Sequence, residues 1–549
     1  MDINFFQELS KSENYPHKPD KVEIKQTHAS YIFIVKPYVF KIKKNVNFGF
    51  LDFSDLRKRF YYCIEEIKLN QRLCKELYIN LVILYYDKNN KNVIFQDIFT
   101  NDNKDLTKID YDKVFHSIIQ NINSDSTEIE FAIKMHYIED KYFLKNQSIT
   151  IKKLEFIAEK LIHFYNNLQP LNEDYSKKNI IENLEDCKNF INLTIPDIMY
   201  RLIKKFNEYY FKKYHYKLQK RIKDGWIKDC HGDLHLEHII VKNNSICIYD
   251  CIEFNKEFRH IDIANDIAFL CMDLEFYGYY RESFYFIKYF YKKIYNYDMI
   301  FLQDLYRCYR AFVRGKVYSL KSLQKQISEE EKNDSIYLAR KYFNLSFKYA
   351  LTDIHPTIVV FMGRIGSGKS TLARKFADFL NINIYSSDVI RKSLFGLPLY
   401  ERTPEHLKSI VYSKLITYIV YNKMIENAIK SSLKDGIAVI DGTFATRSLR
   451  NIALFRSFEE NIKILFIEVE TQKEIIIERL KKRQNSKEEV SDAGIEEFLS
   501  FYDKYEPPLE IPINHKIKIK IQKEWNIDKL FNYMLRKILI HRFSYKHIY

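Results

Sequence analysis

Residues 357–371 read TIVVFMGRIGSGKST, and this stretch decides the fold of the second half of the chain. The apolar run predicts a buried strand, and GRIGSGKS fits the pattern GxxxxGK[ST], a phosphate-binding loop that opens a helix. Glycines let backbone N–H groups turn towards phosphate oxygens, the lysine reaches the β- and γ-phosphates, and the serine hydroxyl holds Mg²⁺. The sequence therefore predicts ATP contacts, with Ser370 also a magnesium ligand, from Gly363, Arg364, Ile365, Gly366, Ser367, Gly368, Lys369, Ser370 and Thr371.

Charged side chains follow the next strands and helices of this half. Asp388 comes after the predicted strand 381–385, where a carboxylate can accept a proton from a substrate hydroxyl or cap the next helix. Asp441 follows another strand and occupies the place of a Walker B acid, which orients a magnesium-bound water. Arg479 and Arg483 lie four residues apart on one helical face, where they can close over transferring phosphates or form a solvated basic surface.

The segments GRIGSGKST, SDVIRK, VIDGTF and RLKKR resemble the small P-loop kinases, a group that includes gluconate kinase, chloramphenicol phosphotransferase, zeta toxin and the 5′-kinase domain of polynucleotide kinase. The resemblance spans residues 355–549. It implies that Asp388 is the substrate-side general base and that Arg391 contacts substrate or phosphate. It also implies that Arg479 and Arg483 are lid arginines.

The first half contains a second phosphotransfer pattern, centred on HGDLH at residues 231–235. Two β-branched runs follow and predict a hairpin that ends at Tyr249. In a kinase-like fold the Asp of this loop accepts or positions the substrate hydroxyl. A polar residue five positions later meets magnesium, and the Asp after the hairpin holds Mg²⁺ on the phosphates. Asp233, His238 and Asp250 stand at those three places.

A lysine–glutamate pair is predicted upstream of this loop. Lys41 and Lys43 lie on a predicted strand, and Glu65 and Glu66 lie on the helix that follows it. In kinase-like folds such a pair steadies the α- and β-phosphates of ATP. We assign the pair to Lys41 and Glu66, while the sequence alone also admits Lys43 and Glu65.

The histidines near the loop allow a different interpretation, a metal cluster formed by His231, His235, His238 and His260. HGDL predicts a loop rather than a helix, and neither cysteine nor acidic ligand spacing indicates zinc. The kinase-like interpretation is therefore favoured.

Three segments of the first half resemble the aminoglycoside phosphotransferase family, which shares the two-lobed protein-kinase-like fold: THASYIFIVKPYVFKIKKNVNFGFLDFS, HGDLHLEHI and IYDCIEFNKEFRHIDIANDIAFLCMDLE. They are closer still to a bacterial group in which such a domain is fused to a P-loop kinase domain. The resemblance implies that Asp233 is catalytic, that Asp250 binds magnesium and that Lys41 binds ATP. Two departures keep a regulatory pseudokinase open as an alternative: residues 27–30 replace the glycine-rich loop, and His238 replaces an asparagine.

Composition narrows the class of protein. The 549 residues are 46% hydrophobic and include only 12 Gly and 11 Pro, which excludes a disordered or collagen-like chain. Uncharged apolar runs stay shorter than about 18 residues, and the N-terminal stretch lacks the features of a signal peptide. We therefore expect a cytoplasmic protein with no membrane partner. Eight scattered cysteines without a CxxC pair predict reduced thiols.

The net charge of +15 raises the question of a nucleic-acid partner. The basic residues are spread along the whole chain rather than gathered in one tract, which argues against such a partner. A polynucleotide 5′-kinase stays open as an alternative, because SDVIR and the basic charge both suit it.

These observations predict two domains. Residues 1–352 form an α+β bilobal protein-kinase-like domain, and residues 353–549 form an α/β parallel-sheet P-loop NTPase domain. We expect a bifunctional phosphotransferase that uses ATP and Mg²⁺ to phosphorylate a hydroxyl of a small molecule. The sequence names neither the acceptor nor the oligomeric state.

Overall fold

The computed structural model describes residues 3–49, 51–99, 106, 109–120, 127–243, 245–324, 327–483, 490–522 and 526–544. Packing divides the chain into two compact units. The first unit comprises Met1–Ile181, Tyr216–Leu270 and Tyr285–Tyr297, and the second comprises Glu182–His215, Cys271–Phe284 and Asp298–Tyr549. Within the described ranges, helices are either too short or too polar to cross a membrane.

The amino-terminal elements form a six-stranded antiparallel sheet with three helices. They are α1 (Ile3–Leu9), β1 (Glu23–Gln26), β2 (Ser30–Val35), β3 (Tyr38–Lys43), α2 (Leu56–Asn70), β4 (Tyr78–Asp87), β5 (Asn92–Asp97), α3 (Tyr111–Gln120) and β6 (Thr127–His136). The strands lie in the order β1-β2-β3-β6-β4-β5. The side chain of Asp55 caps the start of α2 by accepting a hydrogen bond from the backbone N–H of Lys58.

Both faces of this sheet are covered by apolar side chains. On one face, Phe60 and Ile64 of α2 pack with residues of β4 and β6. On the other face, the ring of Phe5 in α1 stacks on Tyr86, with ring centroids 5.0 Å apart. Side chains alternate along β3, so Lys41 and Lys43 point to the face that carries α2.

Helices and two short antiparallel strand pairs follow. They are α4 (Ile151–Asn167), α5 (Ser176–Asp186), α6 (Asp197–Lys223), β7 (Ile227–Asp229), β8 (Ile239–Lys242), β9 (Ser245–Ile248), β10 (His260–Asp262), α7 (Ile263–Phe276), α8 (Tyr280–Lys293), α9 (Ile300–Ser322) and α10 (Glu329–Leu351). β8 pairs with β9 in the predicted hairpin, and β7 pairs with β10.

The remaining elements form a five-stranded parallel sheet with helices. They are β11 (Thr357–Met362), α11 (Lys369–Leu380), β12 (Ile384–Ser386), α12 (Ser387–Leu394), α13 (Glu405–Val411), α14 (Lys414–Asp435), β13 (Ile437–Asp441), α15 (Arg447–Glu459), β14 (Lys463–Glu470), α16 (Lys473–Arg483), α17 (Ile495–Phe501), β15 (Lys516–Lys520) and α18 (Ile527–Ser544). The strand order is β12-β13-β11-β14-β15. The predicted fold class, an α+β kinase-like region followed by a parallel-sheet P-loop region, is confirmed.

The prediction of reduced thiols is wrong at one pair of cysteines. Cys74, just after α2, forms a disulfide with Cys247 in β9, and their Cα atoms lie 4.7 Å apart. The two residues are 173 positions apart, so their spacing along the chain gave no sign of the pairing. The other six cysteines are buried free thiols.

Within the second unit, α9 and α10 share a core with α11 and α18. The amide of Asn344 in α10 donates to the carbonyl of Leu380 at the end of α11, at 2.9 Å. Phe379 contacts Phe347 of α10 and Phe531 of α18, with ring centroids 5.7 and 5.3 Å apart. The P-loop helix therefore ends in an apolar cluster to which the preceding helices contribute.

The segment between α10 and β11 is buried rather than exposed. Thr352 is 2% and Asp353 1% exposed, and Lys463 donates to the carbonyl of Thr352 at 2.7 Å and to the carboxylate of Asp353 at 2.6 Å. Exposed linkers are the usual places where domains separate. A domain boundary at residue 352 stays a prediction.

Arg542 of α18 forms hydrogen bonds with both α9 and α10. Its guanidinium donates to a carboxylate oxygen of Asp304 in α9 at 2.5 Å and also to the backbone carbonyls of Tyr349 and Ala350. Because Arg542 is buried, its removal would leave the Asp304 carboxylate without its charge partner.

We expect Arg542→Ala to lower the free energy of unfolding of the full chain by about 3 kcal/mol, since it breaks a largely buried ion pair. Denaturant unfolding followed by circular dichroism measures the change. Arg536→Ala, at an exposed position of the same helix, is the matched control and should change stability by less than about 0.5 kcal/mol. Equal effects of the two substitutions would contradict the assignment.

Candidate functional site

A buried carboxylate in α2 binds both lysines of β3. Glu66 accepts from the Nζ of Lys41 at 2.8 Å through one oxygen and from the Nζ of Lys43 at 2.7 Å through the other. Glu65 points elsewhere and accepts from the Tyr111 hydroxyl at 2.6 Å. The structure therefore brings the predicted residues Lys41 and Glu66 together, and it adds Lys43 as a second cation on the same carboxylate.

The two lysines continue to different partners beyond Glu66. Lys41 also donates to Asp250 at 2.8 Å, whereas Lys43 pairs with Glu253. Lys41 is 16% exposed and Lys43 only 1%, so Lys41 is the lysine with access to a ligand. Burial lowers the pKa of Lys41, but Asp250 and Glu66 outweigh it and hold that pKa well above its usual range.

The HGDLH loop is positioned by Asp266 of α7. Its carboxylate accepts from the backbone N–H groups of His231 and Gly232, both at 2.9 Å, and from the hydroxyl of Tyr165 at 2.7 Å. Gly232 has φ +84°, and a Cβ there would lie 3.0 Å from the carbonyl oxygen of Phe258. Asp266 was not predicted as a site residue, although an aspartate within the apolar run of α7 was the available signal.

The structure brings Asp233, His238 and Asp250 together. The Nδ1 of His238 lies 2.9 Å from the carbonyl oxygen of Asp233, and its Nε2 lies 3.4 Å from Oδ2 of Asp250. Asp250 adopts φ +61°, a left-handed conformation that is costly for a non-glycine residue. Desolvation raises the pKa of Asp250, but the adjacent Lys41 outweighs it and holds that pKa well below its usual range.

An acidic side chain lies among the histidines of the loop, although the spacing along the sequence did not indicate one. One potential ligand atom from each of Asp233, His235 and His238 lies within 4.8 Å of the others, so the acid is the aspartate of HGDLH itself. His231 and His260 have other partners. The Nε2 of His231 is 2.9 Å from the carbonyl oxygen of Tyr249, and burial lowers the pKa of His231 to about 4. His260 lies 3.7 Å from Asp229.

In the second half, the loop between β11 and α11 has the backbone shape of a phosphate cradle. Gly363, Gly366 and Gly368 have φ values of +146°, +73° and +93°. A Cβ on Gly363 would lie 2.4 Å from the carbonyl oxygen of Val469, so this position excludes every other residue. Lys369 and Ser370 then open α11, as predicted.

Asp441 lies at the end of β13 beside this loop. The strand register pairs it with Phe361 of β11 and with Ser386 of β12. Burial raises the pKa of Asp441 above its usual value, and the neighbouring Lys369 and Ser370 offset only part of this increase. Among the described residues, Oδ1 of Asp441 and the Ser367 hydroxyl are buried without a hydrogen-bond partner. Such orphaned oxygens fit a hydrated magnesium ion and phosphate.

Asp388 and Arg391 occupy α12, which directly follows β12. Asp388 is half-buried in the first turn of the helix. Arg391 is 5% exposed, donates to the carbonyl of Val411 at 2.7 Å and lies 4.7 Å from the Tyr412 ring centroid. These contacts join α12 to α13 and to the turn before α14, and the contact of Arg391 with substrate stays a prediction.

A buried aspartate that the sequence analysis left without a role supports the same region. Asp492 accepts from the backbone N–H and the hydroxyl of Thr403, at 3.1 and 2.5 Å, and from the Tyr412 hydroxyl at 2.6 Å. Lys392 of α12 lies 3.3 Å from the same carboxylate. Asp492 therefore anchors the segment that leads from α12 to α13.

The two predicted lid arginines differ in their contacts. Arg479 donates to the carbonyl of Ser367 in the phosphate loop at 3.3 Å. Arg483 donates to the carbonyl of Ser491 at 3.0 Å, in the segment before α17. Arg364, within the loop, lies between the rings of Tyr502 and Tyr505, 4.7 and 4.8 Å from their centroids.

Comparison with known proteins places the second half in a described domain class. Residues 358–508 match the family model of an AAA domain, which confirms the expected P-loop domain. An uncharacterized protein of Mycobacterium tuberculosis (strain ATCC 25618 / H37Rv) is 25% identical over 447 residues, which cover 79% of this chain and 80% of that protein.

The chain is also similar to solved structures of two kinases. A gluconokinase from Sinorhizobium meliloti 1021 is 16% identical, with a TM-score of 0.24, over 34% of this chain and 90% of its own. A choline kinase from Cryptosporidium parvum Iowa II is 12% identical, with a TM-score of 0.37, over 62% of this chain and 92% of its own.

We expect Glu66→Gln to weaken nucleotide binding in the first half and to lower the free energy of unfolding by about 2 kcal/mol, because it removes the charge of the carboxylate that both lysines share and leaves each lysine with one other carboxylate. Glu65→Gln, one residue away, is the matched control and should change neither quantity strongly. Fluorescent-nucleotide titration in a Lys369→Ala background and denaturant unfolding measure the two effects. If Glu65→Gln has the larger effect on nucleotide binding, the pair has been assigned to the wrong glutamate.

Proposed function

We propose that the protein is a bifunctional ATP-dependent phosphotransferase that moves the γ-phosphate of ATP to a hydroxyl of a small molecule. One observation, found in both halves, carries the proposal. A lysine lies beside a carboxylate suited to magnesium, and a second carboxylate stands next to that pair. The sets are Lys41, Asp250 and Asp233 in the first half, and Lys369, Asp441 and Asp388 in the second.

In the first site, each charged group has a separate task. Lys41, held by Glu66, binds the α- and β-phosphates, and Asp250 and His238 would hold the metal. Asp233, whose side chain is 31% exposed, accepts the proton of the acceptor hydroxyl as that oxygen attacks the γ-phosphorus. The bond from the γ-phosphorus to the β,γ-bridging oxygen breaks, and ADP leaves. A bound divalent cation would supply charge neutralisation on the phosphate oxygens.

In the second site, backbone N–H groups contribute more of the phosphate binding than they do in the first site. The N–H groups of residues 363–368 would surround the phosphates, Lys369 would contact the β- and γ-oxygens, and Ser370 and Asp441 would hold the metal. Asp388 accepts the proton of the acceptor hydroxyl. Arg479, already on the loop at Ser367, adds positive charge over the transferring phosphate.

A regulatory pseudokinase is the second candidate for the first half, and the turn between β1 and β2 favours it. The backbone N–H groups of Ala29 and Ser30 donate to the hydroxyl of Thr27 at 3.3 and 3.0 Å, and the N–H of Thr27 donates to the carbonyl of Ser30. Donors that a glycine-rich loop would offer to ATP are therefore engaged within the turn. In that case the first half would bind nucleotide without transferring phosphate.

Lys369→Ala should abolish the share of ATP turnover that belongs to the second half, because the lysine charge on the β- and γ-oxygens is lost while the fold is kept. ADP release by the full chain across a panel of sugars, aminoglycosides, nucleosides and oligonucleotides measures it. Lys375→Ala, on the same helix, is the matched control and should retain turnover. If turnover in an Asp233→Asn background survives Lys369→Ala within a few-fold, the P-loop assignment is wrong.

Asp233→Asn and Asp250→Asn should have different signatures in a Lys369→Ala background. Asp233→Asn lowers turnover by about 100-fold or more with nucleotide affinity nearly unchanged, because this residue faces the acceptor. Asp250→Asn instead weakens binding of the magnesium–nucleotide complex, since its carboxylate holds the metal. Turnover and nucleotide titrations separate the two. Nucleotide binding without turnover, with Asp233→Asn silent, would instead establish the pseudokinase.

A further inference from the structure

The hydrogen bonding of His238 fixes which of its ring nitrogens is free. Its Nδ1 lies 2.9 Å from the backbone carbonyl oxygen of Asp233, and a carbonyl oxygen only accepts hydrogen bonds. In the neutral ring the proton therefore sits on Nδ1, and Nε2 carries the lone pair. This is the arrangement of metal-ligating histidines, in which a backbone carbonyl or carboxylate orients the ring through the other nitrogen.

The lone pair of Nε2 faces another acceptor. Oδ2 of Asp250 lies 3.4 Å away, while Oδ1 of the same carboxylate is bound by Lys41 at 2.8 Å. Two acceptors at this separation repel unless a proton or a metal ion lies between them. Nitrogen and oxygen donors 3.4 Å apart can share one ion at bond lengths of about 2.1 Å.

The neighbouring ring of His235 leaves a further polar atom available. Its centroid lies 3.9 Å from that of His238, and its Nε2 lies 3.4 Å from Oδ2 of Asp233. Its Nδ1 is buried and has no hydrogen-bond partner among the described residues. The first site is thus lined by imidazole nitrogen as well as by carboxylate oxygen.

We infer that the metal of the first site is bound through Nε2 of His238 and that this site prefers a first-row transition ion, such as Mn²⁺ or Co²⁺, over Mg²⁺. The inference rests on the proposed function, because the ion carries the phosphates of ATP. Magnesium favours all-oxygen coordination, whereas imidazole nitrogen favours the transition metals. The P-loop site, with the Ser370 hydroxyl and the Asp441 carboxylate, offers oxygen ligands and keeps the preference for Mg²⁺.

Electron spin-echo spectroscopy of bound Mn²⁺ tests the ligand directly. The sample is the full chain carrying Ser370→Ala, which removes a metal ligand of the P-loop site, loaded with Mn²⁺ and a non-hydrolysable ATP analogue. We expect a ¹⁴N coupling that His238→Asn removes and that changes to the ¹⁵N pattern when histidine is ¹⁵N-labelled. His163→Asn makes the same change on the exposed face of α4 and should keep the coupling.

Competition between Mn²⁺ and Mg²⁺ provides the second readout, and His238→Asn should reduce the preference for Mn²⁺ about tenfold. Mn²⁺ and analogue bound without a histidine nitrogen coupling would overturn the inference and leave the proposed function intact. If neither the metal nor the analogue binds the Ser370→Ala chain, the inference fails together with the part of the proposed function that concerns the first half. If His238→Asn does not fold, the labelled parent decides, because a coupling unaltered by ¹⁵N-histidine excludes imidazole ligation.

Discussion

The pairing of one buried carboxylate with two lysines is the interaction on which the first site depends. Glu66 has no exposed surface, so its charge costs several kcal/mol unless it is neutralised. Lys41 and Lys43 do this from alternate positions of β3, and they extend the neutralisation to Asp250 and Glu253 beyond β9. One requirement, that no charge be buried alone, thus aligns a strand, a helix and the segment that carries the metal-binding aspartate.

The sequence predicts those parts of the fold and of the sites that depend on contiguous residues. The motifs GRIGSGKS and HGDLH each predict the backbone conformation of their own loop. The alternation of apolar residues predicts the strands beside them. The supporting contacts span long distances in sequence. Asp266 reaches the HGDLH loop across 35 residues, Asp492 reaches Thr403 across 89, and Arg542 reaches Asp304 across 238. No local pattern encodes such pairings, and the Cys74–Cys247 disulfide was missed for the same reason.

The two sites hold phosphate by different physical means under the proposed function. The P-loop of the second half offers backbone N–H groups at the start of a helix, which need no side chain to act. In the first half, the turn at Thr27–Ser30 uses its own N–H groups internally, so Lys41 and the metal bear more of the phosphate charge. Nucleotide affinity of the first half should therefore depend more strongly on which metal ion is present.

The burial of Arg542 has a consequence for the order in which this protein folds on the ribosome. Helices α9 and α10 emerge long before α18, yet Asp304 receives its cationic partner only when residue 542 has been translated. Contacts of such long sequence separation form slowly, and unfinished apolar surfaces are prone to aggregation. The core of the second unit can therefore be completed only after α18 has been synthesised. Until then, Phe379, which contacts Phe347, lacks its other aromatic neighbour Phe531.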